Sequence, residues 1–250
     1  MIELDKIKYK KKFLSNVLVR IDFSPILILK DELKAEFQES IRKQFPIFET
    51  QRKIEHFIDI KENLIEEKPF TQWILISNDL DRKIFITFNS AVVEFYNYSN
   101  FEEFNEIVLS VMQNLVKFYG QLNIKRFGLR YINKIKLPSG DPYKWSEFIE
   151  QPLTYSLDNF IKNKNELSRS MNQMIFNKID HLLQFTYGIF NDEFPSKISR
   201  KEYILDFDCY SKEVEESDIK RKIKNFHDDI LELFDNSITK KLKEIMEPIK

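Results

Sequence analysis

Ile124-Lys125-Arg126-Phe127-Gly128-Leu129-Arg130-Tyr131-Ile132-Asn133 is the stretch that decides how this chain folds. Alternate residues of a strand share a face. Phe127, Leu129, Tyr131, Ile135 and Leu137 then make a core face, with Asn133 among them. Ile124, Arg126, Gly128, Arg130 and Ile132 make the other, which is half cationic. The spacing predicts one long strand over 124–137. Its polar side has two readings. Guanidinium forks grip phosphate or carboxylate bidentately, and a glycine between them leaves room for an approaching backbone. Arg126, Gly128, Arg130 and Asn133 are therefore the recognition candidates. Alternatively, Arg126 and Arg130 pair with carboxylates of a neighbouring strand, for which Asp206 and Asp208 are suited because they too share a strand face.

Upstream of this strand, Ser99 followed by Glu102 predicts a capping box. The helix it opens carries Phe101, Phe104, Val108, Val111 or Met112, Leu115 and Phe118 or Tyr119 on one broad face and stops at Gly120. Before that, Leu14 to Phe23 alternates as a strand, and Lys30 to Gln44 has the stripe Leu33, Phe37, Ile41, Phe45 of a helix stopped by Pro46. Strands are expected over 52–60, 72–77 and 83–96, with a turn at Asn78-Asp79-Leu80-Asp81 and a bulge or bend late in the last. Downstream, Pro138, Gly140 and Pro142 mark the clearest boundary. Beyond it the expectation is short helices near 145–149 and 153–161, strands at 167–176, 180–190 and 202–210, and helices at 217–234 and 239–246.

The fold class expected is α+β. Residues 72–119 and 180–236 share an order of strand, turn or loop, strand and helix. This points either to two related α+β units with antiparallel sheets and helices packed on one face, or to a single mixed sheet built from ordinary hairpins. The expected division is 1–138 and 139–250, whether separate or packed as one body.

Composition narrows the function classes. The chain is 42 % hydrophobic with 23 Phe, too apolar for a disordered segment. Only 4 Gly argue against a Rossmann crevice, a P-loop or a TIM barrel. A formal net charge of -1 gives no whole-chain attraction to nucleic acid. The local run Lys6, Lys8, Lys10, Lys11, Lys12 reads as a solubilising stretch, with phosphate contact as the alternative. Cys209, the sole cysteine, alternates onto an apolar face; it cannot form an intrachain disulfide and has no activating base nearby in sequence. His56, His181 and His227 form no metal-ligand spacing and read as structural or exposed. Asp206 and Asp208 as a metal pair would need a third ligand. Trp73, Tyr96, Tyr98, Tyr131 and Trp145 are conceivable base-stacking platforms, although the rings mostly fall at core periodicity. No signal-peptide pattern opens the sequence and no apolar run approaches the roughly 20 residues of a membrane span. The expectation is a cytoplasmic protein with no membrane contact, and no cofactor, metal ligand or catalytic residue is assigned.

Phe127-Gly128-Leu129-Arg130-Tyr131-Ile132-Asn133 resembles the hallmark of a large, sporadically distributed prokaryotic family of uncharacterised proteins with a Gly-Leu-Arg-Tyr-Ile-Asn strand motif. The likeness extends to the Trp73 hairpin, the Tyr98-to-Phe104 segment, Leu205-Asp206-Phe207-Asp208 and Ile238-Thr239-Lys240-Lys241-Leu242. The family's patchy distribution is similar to that of toxin–antitoxin and anti-phage defence genes, which implies an accessory role; the resemblance assigns no catalytic residue. The expected function is a non-enzymatic protein-recognition or accessory component, with a protein partner or a homo-oligomer favoured. The alternatives are a nucleic-acid-binding protein and a metal-dependent nuclease or phosphoryl hydrolase.

Overall fold

A computed structural model describes residues 8–59, 64–160 and 162–249. In chain order the elements are β1 (Lys8–Tyr9), β2 (Leu14–Phe23), α1 (Ala35–Ile41), β3 (Ile47–Asp59), β4 (Leu64–Ile76), β5 (Arg82–Thr87), β6 (Ser90–Phe95), α2 (Phe101–Tyr119) and β7 (Ile124–Lys136). They continue as α3 (Gln151–Tyr155), β8 (Ser170–Asn177), β9 (Leu182–Ile189), β10 (Glu202–Val214), α4 (Ile219–Ser237), α5 (Lys240–Ile245) and β11 (Pro248–Ile249). The chain is mixed helix and sheet. A large antiparallel sheet has the strand order β3-β4-β5-β6-β2-β7-β10-β9-β8, and β1 pairs with β11.

The chain divides into two compact units, each discontinuous in sequence. One comprises Val17–Gly128 with Ser211–Lys220; the other comprises residues up to Asn16, Leu129–Tyr210 and Arg221–Lys250. Pro138, the boundary marked in the sequence, lies inside the second of these.

In the first unit, β2 buries Val17, Val19, Ile21 and Phe23 at alternate positions and pairs with β6 from Val17↔Phe95 to Asp22↔Ser90. The amphipathic α2 covers this layer with Phe104, Val108, Val111 and Leu115. Phe104 meets Phe95 edge-on at 5.0 Å between ring centroids. Gly120 ends α2 at φ 86, a backbone region that favours glycine. The capping differs from expectation by one residue. Asn100 is the N-cap and its side chain accepts from the Glu103 N–H at 2.9 Å, while the Ser99 hydroxyl donates to the Glu103 carboxylate. Ser and Asn are comparable caps, and here Asn100 takes the extended backbone that a cap requires.

The helix expected over 30–44 is reduced to α1, preceded by a 3-10 turn at Leu27–Lys30. Leu33, Phe37, Ile41 and Phe45 are all buried, so the apolar stripe is real, but it runs past both ends of the helix. Lys34 leaves helical geometry because tertiary partners take it: its backbone N–H donates to the Tyr119 hydroxyl at 2.9 Å and its ammonium to the Phe118 carbonyl. The single strand expected over 83–96 is two, β5 and β6, joined by a turn in which Thr87 Oγ1 bonds to Asn89 and Ser90. Of residues 145–149, expected as a short helix, only 146–148 form a turn, and Ile149 makes an isolated antiparallel bridge to Ile238. Ile60 and Ile161, which ended expected elements, lie outside the described residues.

In the second unit the core is a row of rings. Phe207 of β10 stacks on Phe185 of β9 at 4.7 Å and 3°, and Phe234 of α4 caps Phe207 edge-on at 6.3 Å. Thr239 caps α5 by accepting from the Leu242 N–H.

Candidate functional site

The polar face of β7 is occupied by internal ion pairs. Arg130 donates from Nε to Asp206 Oδ1 at 2.8 Å and from Nη2 to Oδ2 at 2.6 Å, a bidentate fork. These bonds raise the Arg130 pKa further above its ordinary value. The ladder continues along the same pair of strands, with Glu202 3.2 Å from Lys134 and 3.4 Å from Lys136. Arg126 is half-buried, Gly128 is buried, and Asn133 is 6 % exposed on the face that buries Tyr131 and Ile135. Asp208 lies on β10 within electrostatic reach of Arg130. The structure thus joins Arg130 to Asp206 as the sequence suggested, while Asn133 sits in the core.

Other sequence candidates are also spent on structure. Cys209 is fully buried and desolvation pushes its thiol pKa far up, away from thiolate chemistry. Trp73, Tyr131 and Trp145 are buried, so their rings serve packing rather than base stacking. His227 is buried with Nδ1 2.8 Å from the Tyr131 hydroxyl. Lys10 and Lys11 pair with Glu247, whereas Lys6 lies outside the described residues, as does the His56 side chain.

A second polar cluster was not visible in the sequence. His181 is buried between two carboxylates. Its Nδ1 is 3.0 Å from Asp180 Oδ1, and its Nε2 is 2.7 Å from Asp229 Oδ2, close enough for an ion pair but outside hydrogen-bond geometry. Asp180 also takes Arg221 at 3.0 Å and Lys222 at 3.2 Å, and Asp229 takes Lys178 at 3.2 Å. Hydrogen bonds from His181 and Arg221 hold the Asp180 carboxyl well below the usual carboxylate range. The two acids face opposite ring nitrogens, so they do not converge on one point as metal ligands would. Asp180 precedes His181 in sequence, but Asp229 arrives from α4, which only folding could reveal.

Beside this cluster lies a cleft of about 140 Å³ between α4 and the outer strands, lined by Phe176, Lys178, Leu183, Asp229, Glu232, Leu233 and Asn236. It borders β8, the last strand of the sheet order. β8 reads Ser170-Met171-Asn172-Gln173-Met174-Ile175-Phe176-Asn177, with no charged residue. Met174 is 39 % and Ile175 59 % exposed. Its register on β9 runs from Ser170↔Ile189 to Asn177↔Leu182. Gly188 permits that seating: its φ is 138, and a Cβ there would lie 2.0 Å from the Ser170 carbonyl oxygen. Sheet edges are normally blunted by charges, proline or bulges. The opposite edge strand, β3, follows that pattern with exposed Glu49, Arg52 and Lys53, and β8 does not. The strand itself was legible at 167–176; its edge position was not. The signal available in the sequence was the uncharged run.

Among the described residues no helix is long and apolar enough to cross a membrane, and no group of three or more His, Cys, Asp or Glu is placed to hold a metal ion. No family model matches the chain, and no curated protein is matched by it.

Proposed function

We propose that this chain is a non-enzymatic protein-recognition component that accepts an extended, uncharged segment of a partner protein as an added strand along β8. The supporting observation is the exposed, uncharged edge of β8 at the end of the sheet. Strand addition draws affinity from main-chain hydrogen bonds and specificity from pockets for alternate side chains. The cleft beside Phe176 offers such a pocket, apolar at Phe176, Leu183 and Leu233 and polar at Lys178, Glu232 and Asn236. A protein is favoured over nucleic acid because the net charge is near zero, Arg130 is committed to Asp206, and three of the candidate stacking rings are buried. A metal-dependent hydrolase is disfavoured because the best acidic pair has given Asp206 to a guanidinium.

The test is amide hydrogen exchange on the protein purified from its host with its bound macromolecules, compared with the stripped chain diluted until it is monomeric. Protection of the β8 amides in the bound sample, and its loss in a Met174→Lys variant together with a stoichiometric protein, is the expected result. Co-purifying nucleic acid with β8 unprotected would sink the reading.

A further inference from the structure

The recognition reading leaves open what lies along β8 when no partner is present. We infer that this edge pairs with β8 of a second copy of the chain, antiparallel, about a two-fold axis through Met174. The inference rests on the recognition reading, since it names an occupant of the same edge and makes self-pairing and partner binding mutually exclusive.

The register follows from symmetry and the pleat. A two-fold axis perpendicular to a sheet keeps every side chain on its own face, so residues opposite each other across the axis must share a face. The axis therefore passes through a residue position rather than between two. Ser170, Asn172, Met174 and Phe176 share the face of Leu183, Phe185 and Tyr187, the buried residues of β9. An axis at Met174 sets Met174 against Met174, Asn172 against Phe176, and Gln173 against Ile175. Phe207 is registered on Phe185, and Phe185 on Met174. The ring row of the core would then run through the paired methionines into the same row of the second copy. Met174, 39 % exposed in the single chain, becomes covered.

No like charges oppose each other in this register. The strand has none of its own, and the flanking cations fall opposite neutral residues: Lys178 opposite Ser170, and Arg169 opposite Ile179. Lys178 is already paired with Asp229, and Arg169 lies over the rings of Phe190 and Phe194. Asn172 of the second copy would stand beside Phe176 at the cleft, where a small polar side chain suits the polar lining of Glu232 and Asn236.

The experiment measures the solution mass of the full chain over a dilution series. The wild type should show twice the 30.2 kDa of one chain and fall to that value on dilution. Met174→Lys and Met174→Glu, each at an exposed site, should be folded monomers, because each sets like charges opposite one another. Mixed in equal amounts they should regain the doubled mass, since lysine then faces glutamate. A wild type that is monomeric at every concentration, or variants that remain dimeric, would overturn the inference. The two readings separate by hydrogen exchange. A monomer whose β8 amides become protected when the protein retained in native purification is bound overturns self-pairing alone. β8 amides left unprotected with that protein bound overturn the recognition reading.

Discussion

Arg130 and Asp206 meet through two parallel hydrogen bonds in which the aspartate side chain, 15 % exposed, is the more deeply buried partner and the arginine side chain keeps 42 % of its surface. Removing the arginine strands a mostly buried negative charge. Breaking a fully buried pair costs about 3–5 kcal/mol, and the exposure of Arg130 reduces this to about 1–2 kcal/mol. Arg130→Ala should lower the unfolding free energy by that amount, read as a lower urea midpoint with an unchanged slope. Arg130→Lys should recover only part, because an ammonium cannot reproduce the fork. An alanine variant as stable as the wild type would show that the pair contributes nothing.

Asp180 gives a pH-dependent prediction. Its carboxyl is held below the ordinary range by His181 and Arg221, so folding favours the charged form. A depressed carboxylate pKa contributes stability that is full above the unfolded value, roughly pH 4, and is lost as the pH falls further towards the folded value. Asp180→Asn should therefore melt at lower temperature than the wild type at neutral pH, with the two converging in acid. A constant gap across the series would refute the assignment.

The cap of α2 separates two neighbouring residues. Asn100→Ala should destabilise the protein by about 1 kcal/mol, since it removes the acceptor for the Glu103 N–H. Ser99→Ala should stay within about 0.5 kcal/mol, as Ser99 is itself exposed and the first turn is capped by Asn100 instead. Denaturant melts that rank the two variants the other way would restore Ser99 as the cap.

Gly188→Ala should cost more than about 1 kcal/mol, because the backbone there has positive φ and the added carbon meets a backbone oxygen. The accompanying sign is local: amides of β8 should exchange faster while those of α2 are unchanged. Uniform acceleration across both would mean global unfolding rather than release of the strand.

Phe207→Ala removes the middle ring between Phe185 and Phe234. A cavity at a fully buried phenylalanine costs about 3–5 kcal/mol. Calorimetry should show this loss, and a smaller one would mean that the neighbouring rings collapse into the space.

Much of the sheet was legible because alternation is a local signal. Leu14–Phe23 matches its expected span residue for residue, and α2 ends at the glycine that the sequence marked. Lys30 to Gln44 was misread because its stripe is equally compatible with a short helix whose flanks are held by Tyr119, a residue far along the chain. The Arg130–Asp206 pair was readable as one of two options, since both faces could be counted from sequence. The His181 cluster and the exposure of β8 were not, because each depends on which elements become neighbours. Strand order is a long-range property, and nothing within Ser170–Asn177 tells that, among the described residues, no strand follows it in the sheet.

The contrast between β3 and β8 sets how far association can proceed. A sheet with two bare edges grows by repeated addition, the route to fibrils. Here Glu49, Arg52 and Lys53 guard one end. A contact that joins β8 to its own copy uses up the remaining end on both molecules at once. On the self-pairing inferred above, each molecule brings one bare edge of this sheet, and assembly through it would terminate at a pair.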